Sequence, residues 1–149
     1  MIKKILWLVV VVLVVWGVYV LATKDQNEAP AEEVATEANF AVAAGDQKPG
    51  SEVKVGLAIL AEPAFLVVHR EEDSAPGAIV GVSGLLTVGT HSDLSISLSR
   101  AAQSGETLYV MAHRDTNGNG IFDYAADASL DVPSVDSQSR VVMTMVLVR

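Results

Sequence analysis

The chain opens on an unbroken apolar run. From Ile5 to Ala22 all 18 residues are uncharged, and most are Val, Leu or Ile. A helix of that length, rising about 1.5 Å per residue, spans roughly 27 Å, close to the hydrocarbon core of a bilayer. It also satisfies its own backbone hydrogen bonds, which lipid cannot do. Residues 23–50 then lose all periodicity. Beyond Ser51 a period of two sets in: Val53, Val55, Leu57 and Ile59 alternate with other residues, the mark of a half-buried strand. Phe65–His69 reads as a second strand, Glu71–Gly77 as a polar turn, and Ile79–Val82 and Leu85–Val88 as two short strands bounded by glycine. Leu94, Ile96 and Leu98 alternate with Ser95, Ser97 and Ser99. Thr107–His113 is a further strand, a long polar loop runs from Asp115 to about Arg140, and Val141–Val148 closes the pattern.

The pattern divides the chain into a transmembrane signal-anchor helix (1–22), an acidic disordered linker (23–50) and a β-domain (51–149). Seven strands with frequent turn signals and no convincing helix predict an all-β fold, an antiparallel immunoglobulin-like sandwich, with a small closed barrel as the alternative closure. About 100 residues bury an adequate core without cross-links. Phe65-Leu66-Val67-Val68-His69-Arg70 echoes Tyr109-Val110-Met111-Ala112-His113-Arg114. Two strands ending alike are ordinary in such a fold and are not read as a duplication.

Charge fixes the orientation. Lys3 and Lys4 precede the apolar run, so the positive-inside rule places the N-terminus in the cytoplasm and the β-domain outside, with Trp7, Trp16 and Tyr19 toward the interfaces. A cleaved signal peptide, with Val20-Leu21-Ala22 as a weak cleavage site, is the competing reading. The run is longer than the roughly 7–15 apolar residues of such peptides, which favours the anchor. The net charge is −8, and taking away the two positive charges of Lys3 and Lys4 leaves −10 for the rest. That acidity excludes nucleic acid as a natural partner and suits cations. The lipid bilayer is the expected partner of residues 5–22, and a cell-envelope protein or glycan is a candidate partner for the outer domain. No cysteine is present, which removes lipidation at a lipobox, disulfides, thiolate catalysis and Cys-type metal sites.

The segment Asp115-Thr116-Asn117-Gly118-Asn119-Gly120-Ile121-Phe122-Asp123 carries the clearest chemistry. It fits D-x-N-x-N-G-x-x-D. Calcium needs six to eight oxygens, and short Asp and Asn side chains at alternate positions converge if the chain curls around one point. Asp115, Asn117 and Asn119 supply such side chains, Gly120 permits the sharp turn, Ile121 offers a backbone carbonyl, and Asp123 ligates directly or through water. An EF-hand would end on a bidentate Glu where this chain has Ala126, and no helices flank the loop. The pattern resembles the helix-independent aspartate-rich calcium loops of surface proteins, such as thrombospondin type 3 repeats. Asp127, Asp131 or Asp136 would complete the shell, Asp127 being the nearest. Asn-Gly-Asn-Gly is equally suited to a metal-free turn with positive φ angles. An Asp at each end tips the balance toward calcium.

His69, His91 and His113 are the only histidines. Gathered together they would make a zinc or copper site, but no H-x-H or H-E-x-x-H spacing forces them together. Separate histidines at strand ends are the simpler reading, with His113 and Arg114 bracing the acidic loop through an Arg114–carboxylate pair or a hydrogen bond. G-x-S-x-G, P-loop and G-x-G-x-x-G motifs are absent, and Glu71-Glu72-Asp73 beside Pro76-Gly77 reads as a solvated turn. No enzyme activity is expected.

Phe65–His69, Ala75-Pro76-Gly77, Gly81-Val82-Ser83, the stretch from His113 to Gly120 with Phe122-Asp123-Tyr124, and Asp131-Val132-Pro133 together resemble an uncharacterised domain of unknown function. That domain occurs in secreted and membrane-anchored surface proteins, many of them archaeal. The resemblance spans roughly residues 52–149 and is most specific in H-x-D-T-N-G-N-G-x-[FY]-D-[FY]. Ser134 stands where the resemblance leads one to expect an aromatic residue. The resemblance implies an extracytoplasmic β-domain and no particular activity.

Overall fold

The computed structural model describes residues 40–149. The apolar run at 5–22 and most of the acidic stretch lie outside them. Among the described residues no helix is long and apolar enough to cross a membrane.

Seven strands form: β1 Ala41–Ala43, β2 Gly50–Leu60, β3 Ala64–Glu72, β4 Ala75–Val82, β5 Gly89–Ala102, β6 Thr107–Arg114 and β7 Met143–Leu147. They build one antiparallel sheet in the order β1-β2-β5-β4-β3-β6-β7. The meander β3-β4-β5 is flanked by β2 on one side and β6 on the other, which makes two overlapping Greek keys. The all-β expectation holds. The immunoglobulin-like pair of separate sheets is replaced by a single sheet rolled nearly into a barrel. Its two ends meet where the Gln47 amide donates to the Leu147 carbonyl and the Arg149 amide to the Gln47 carbonyl, each at 2.8 Å. A 2.8 Å ion pair from Arg149 Nε to Asp46 reinforces the seam. The sheet therefore begins before Ser51. The Ala-Val-Ala of β1 is too short and small to announce itself and gains its structure by pairing with Leu57–Ile59 of β2.

The roll is narrowest between β4 and β5, which share the single Cα pair Gly81↔Leu98. A Cβ on Gly81 would stand 2.8 Å from the Ser97 carbonyl oxygen and 3.0 Å from Leu98 Cδ2. Backbone cannot yield as a flexible side chain would, so Gly81→Ala is expected to destabilise the domain by about 1–3 kcal/mol in urea denaturation. A change within 0.5 kcal/mol would show that the two strands can separate freely.

The barrel interior is filled by Val53 and Val55 of β2, Leu66 and Val68 of β3, Ile96 of β5, Leu108 and Val110 of β6, and Val146 of β7. Each such side chain contributes roughly 1.5–3 kcal/mol by leaving water. In β2 the buried face changes along the strand. Val53 and Val55 are buried, but so are Ala58 and Leu60, while Leu57 and Ile59, expected inside, are only half-buried. The change falls at Gly56. In β5, Asp93 sits between the partners of Val55 and Leu57 with a left-handed φ of +54°. A local kink of this kind turns a strand's faces without breaking its ladder.

Two turns differ from expectation. Only Asp73 and Ser74, with φ of +53° and +64°, form the β3–β4 turn. Two consecutive positive φ angles match the twist of the flanking strands, so Ala75, Pro76 and Gly77 already belong to β4. Leu85–Val88 is not a strand: Leu86 makes one isolated bridge to Ala64.

Candidate functional site

In β3 every residue from Ala64 to His69 is buried, and in β6 every residue from Leu108 to His113. One face of each strand points into the barrel. The other face, carrying Phe65, Val67, His69, Tyr109, Met111 and His113, would lie in water if the sheet were bare. It is covered by the chain between β6 and β7, which folds back over it. The Arg114 amide donates to the Val132 carbonyl and the Ser134 amide to the Ala112 carbonyl, so residues 132–134 run alongside the end of β6. Ser134 is fully buried there. A small residue fits there between β6 and Val142, whose amide donates to the Ser134 carbonyl.

The start of this segment curls as its sequence suggests. The Asp115 carboxylate accepts the amides of Gly118 at 2.8 Å and Gly120 at 2.9 Å. Asn117 Oδ1 accepts the Asn119 amide, and Asn119 Oδ1 accepts the Ile121 amide. Gly118 and Gly120 have φ of +69° and +72°, which glycine adopts without strain. Asp123 closes the curl: its Oδ2 accepts Nδ2 of Asn117 at 3.2 Å and Nδ2 of Asn119 at 2.7 Å. Four of the six residues singled out for a cation thus meet in one tight loop, with the exposed Ile121 beside them. Asp127 is engaged separately. Its carboxylate accepts the hydroxyl and amide of Ser129, which hold it below the usual carboxylate range. Asp136 accepts bonds from the amide and side chain of Arg140. Among the described residues no group of three or more His, Cys, Asp or Glu side chains converges at metal-binding distance. The donors of the curl are two carboxylates and two carboxamides, all oxygen when the amides are turned.

Asp131 holds the loop together. It is fully buried, with φ +45°. Its carboxylate accepts the amide of Asp123 at 2.6 Å and that of Thr116 at 3.2 Å. Its own amide donates to Thr116 Oγ1 at 2.8 Å, and its carbonyl accepts Nδ1–H of His113 at 2.7 Å. The brace between β6 and the loop is therefore this histidine hydrogen bond. Arg114 forms no ion pair among the described residues.

Phe122 and Tyr124, on either side of Asp123, turn the opposite way from it and land on the sheet. Phe122 meets Phe65 and His113 edge-on, with ring centres 5.5 Å apart in each case, and Tyr124 meets His113 at 4.8 Å. His69 and His113 stack at 5.6 Å. Their Nδ1 atoms are fixed alike, His69 by the Gly77 carbonyl and His113 by that of Asp131. A carbonyl only accepts, so Nδ1 carries a proton in both rings, and in the neutral imidazole Nε2 presents its lone pair. Burial pushes the His113 ring down to about 4, outweighing the raising effect of the Asp131 carbonyl, and neighbouring His69 adds to the depression. His91 does not join them. It is partly exposed on β5 and its Nε2 bonds the Thr87 carbonyl. A cavity of about 510 Å³ opens beside the stacked pair, lined among others by Pro76, Met111, Tyr124 and Pro133.

The profile of the family described as "Domain of unknown function (DUF7282)" matches residues 40–148. Cell surface glycoprotein 1 of Haloarcula hispanica is 37% identical over 81 residues, which are 54% of this chain and 9% of that protein. Cell surface glycoprotein 2 of the same organism is 39% identical over 87 residues, 58% of this chain and 9% of that protein. The chain thus spans less than a tenth of the length of either curated relative. No solved structure matches it. With its profile match running from just before β1 to just past β7, the chain belongs to the family described as Domain of unknown function (DUF7282).

Proposed function

We propose that this chain is a non-enzymatic surface module, tethered through residues 5–22 and carrying its β-domain outside the cell, with calcium ordering the loop that caps one face of the sheet. Two kinds of support converge. The relatives bear the name of cell surface glycoproteins, and the chain's net charge of −8 suits a solvated surface. The loop supplies hard oxygen donors of the type calcium takes.

The observation that carries the cation reading is the convergence of Asn117 and Asn119 on Asp123 Oδ2 within the turn that Asp115 closes. The two carboxamide NH₂ groups donate to the Asp123 oxygen on the side where a cation would bind. Turning these amides would direct their oxygens, with Asp115, Asp123 and the Ile121 carbonyl, toward a bound ion. Two carboxylates make a weak site, of the order of 10⁻⁴–10⁻³ M as in extracellular modules. Because Asp123 is tied to Asp131 and so to His113, calcium would stiffen the whole cap. That end of the barrel then offers a fixed surface to an envelope protein or glycan.

At 10 mM calcium, a dissociation constant of about 1 mM adds about 1.4 kcal/mol to stability. A thermal melt of the full chain should rise by a few degrees relative to chelator. Asp123→Asn should abolish the difference. Equal melting temperatures with calcium and with chelator would remove the metal from this reading.

A further inference from the structure

We propose that the outer face of β3 and β6 binds a single cuprous ion through His69 Nε2, His113 Nε2 and the thioether of Met111. The ladder of the two strands sets these three groups on one face. His69 pairs with Tyr109 and His113 with Phe65, and the Val67–Met111 pair lies between them. All three side chains line the same cavity.

The histidines are prepared as ligands. Metal-bound imidazoles characteristically donate their second N–H to a carbonyl or carboxylate, which fixes ring orientation and tautomer. Both rings do so here, to Gly77 and Asp131. Both Nε2 atoms are buried without any hydrogen-bond partner, on side chains exposed by only 5% and 0%. A buried acceptor left unpaired in two neighbouring rings is a cost that packing alone does not require. Two imidazoles sharing one ion, each nitrogen about 2 Å from it, hold their ring centres roughly 6 Å apart at the widest. The observed separation, 5.6 Å with the rings 22° from parallel, is below that limit, and binding would bring the two Nε2 atoms to within about 4 Å of each other.

The choice of ion follows from the surroundings. The cavity lining holds no carboxylate, and its residues are otherwise apolar apart from Tyr124. A divalent ion there would keep both its charges uncompensated in an apolar setting, whereas a monovalent one carries half that burden. Thioether and imidazole are the donors soft Cu(I) selects. Met143 faces Met111 across the β6–β7 ladder and Met145 faces Tyr109, exposed by 46% and 57%. Every methionine after Met1 thus lies on this face, where Met143 and Met145 give an incoming ion soft donors at the surface.

The test is an anaerobic, reducing titration of the full chain with cuprous ion against bicinchoninate as competing chelator. One copper per chain should be retained, with mixed nitrogen and sulfur neighbours in X-ray absorption. Met111→Leu keeps the side-chain volume, and His69→Gln leaves the His113 brace intact. Each should weaken binding on the order of tenfold or more, while His91→Gln leaves it unchanged. Failure to hold copper against the chelator, equal affinity in Met111→Leu or His69→Gln, or displacement of the copper by stoichiometric zinc would each overturn the assignment. None of these readouts depends on the calcium response of the loop.

Discussion

Replacing Asp131 with alanine is expected to destabilise the domain by roughly 3 kcal/mol and to release the cap from the sheet. The carboxylate is fully buried and accepts the amides of Thr116 and Asp123. Deleting it leaves two donors without partners, and an unsatisfied buried donor costs about 1–3 kcal/mol. Alanine is also less suited than aspartate to a φ of +45°. The damage spreads because Asp131 joins three places: the start of the curl, its closing residue, and His113 through the backbone carbonyl. Asp131→Asn retains one acceptor and the tolerance for positive φ, so about half the loss is expected. Urea denaturation gives the energies, and amide exchange at Thr116 and Asp123 reports whether the cap has lifted. A loss below 0.5 kcal/mol in the alanine variant would show that the aromatic contacts and the backbone bonds to β6 hold the loop without this carboxylate.

What the sequence revealed follows how local each signal is. The serine–aliphatic alternation of Leu94, Ile96 and Leu98 lies within one strand and reads correctly. The curl from Asp115 to Asp123 is closed just as locally, because the side-chain hydrogen bonds among its own residues span six residues or fewer. The inverted burial of Leu57 and Ala58 depends on a kink in a different strand and could not be read from β2. The continuous apolar runs Phe65–Val68 and Leu108–Ala112 read simply as strands, and the structure buries them on both faces. Their second cover is the polar loop itself, which composition alone describes as solvated. The alternation in Phe122-Asp123-Tyr124 was the available clue: it sends two aromatics to the face opposite Asp123. The matching ends Val68-His69-Arg70 and Ala112-His113-Arg114 were a second one. They are not a repeat but two neighbours in one ladder, and their histidines meet only because β3 pairs with β6. The segment from His113 to Tyr124 therefore combines two devices, an oxygen-lined curl and an aromatic lid over the histidine pair.

That lid makes the domain sensitive to acid, and His113 sets the window. Its ring is held well below its ordinary value of 6.5, at about 4, chiefly because burial disfavours the charged form. Below about pH 6.5 the unfolded chain takes up a proton here that the folded chain refuses until about pH 4. Between those limits the unfolded state binds more protons, so stability falls as the pH falls. The slope approaches 1.36 kcal/mol per pH unit, and the whole loss is roughly 3 kcal/mol, complete near pH 4. Glu106, kept low chiefly by its hydrogen bond from Arg100, adds a loss in the same direction only in the carboxylate range. The interval from pH 6.5 to 5 therefore separates His113 from the carboxylates. His113→Phe suits a site already lined by Phe65, Phe122 and Tyr124. It gives up the bond to the Asp131 carbonyl and should be less stable at pH 7, yet nearly flat across that interval. Urea denaturation of both proteins at half-unit steps decides the matter. Equal slopes in the two would mean that the proton is taken up elsewhere and that the buried imidazole is not what ties the cap to neutral pH.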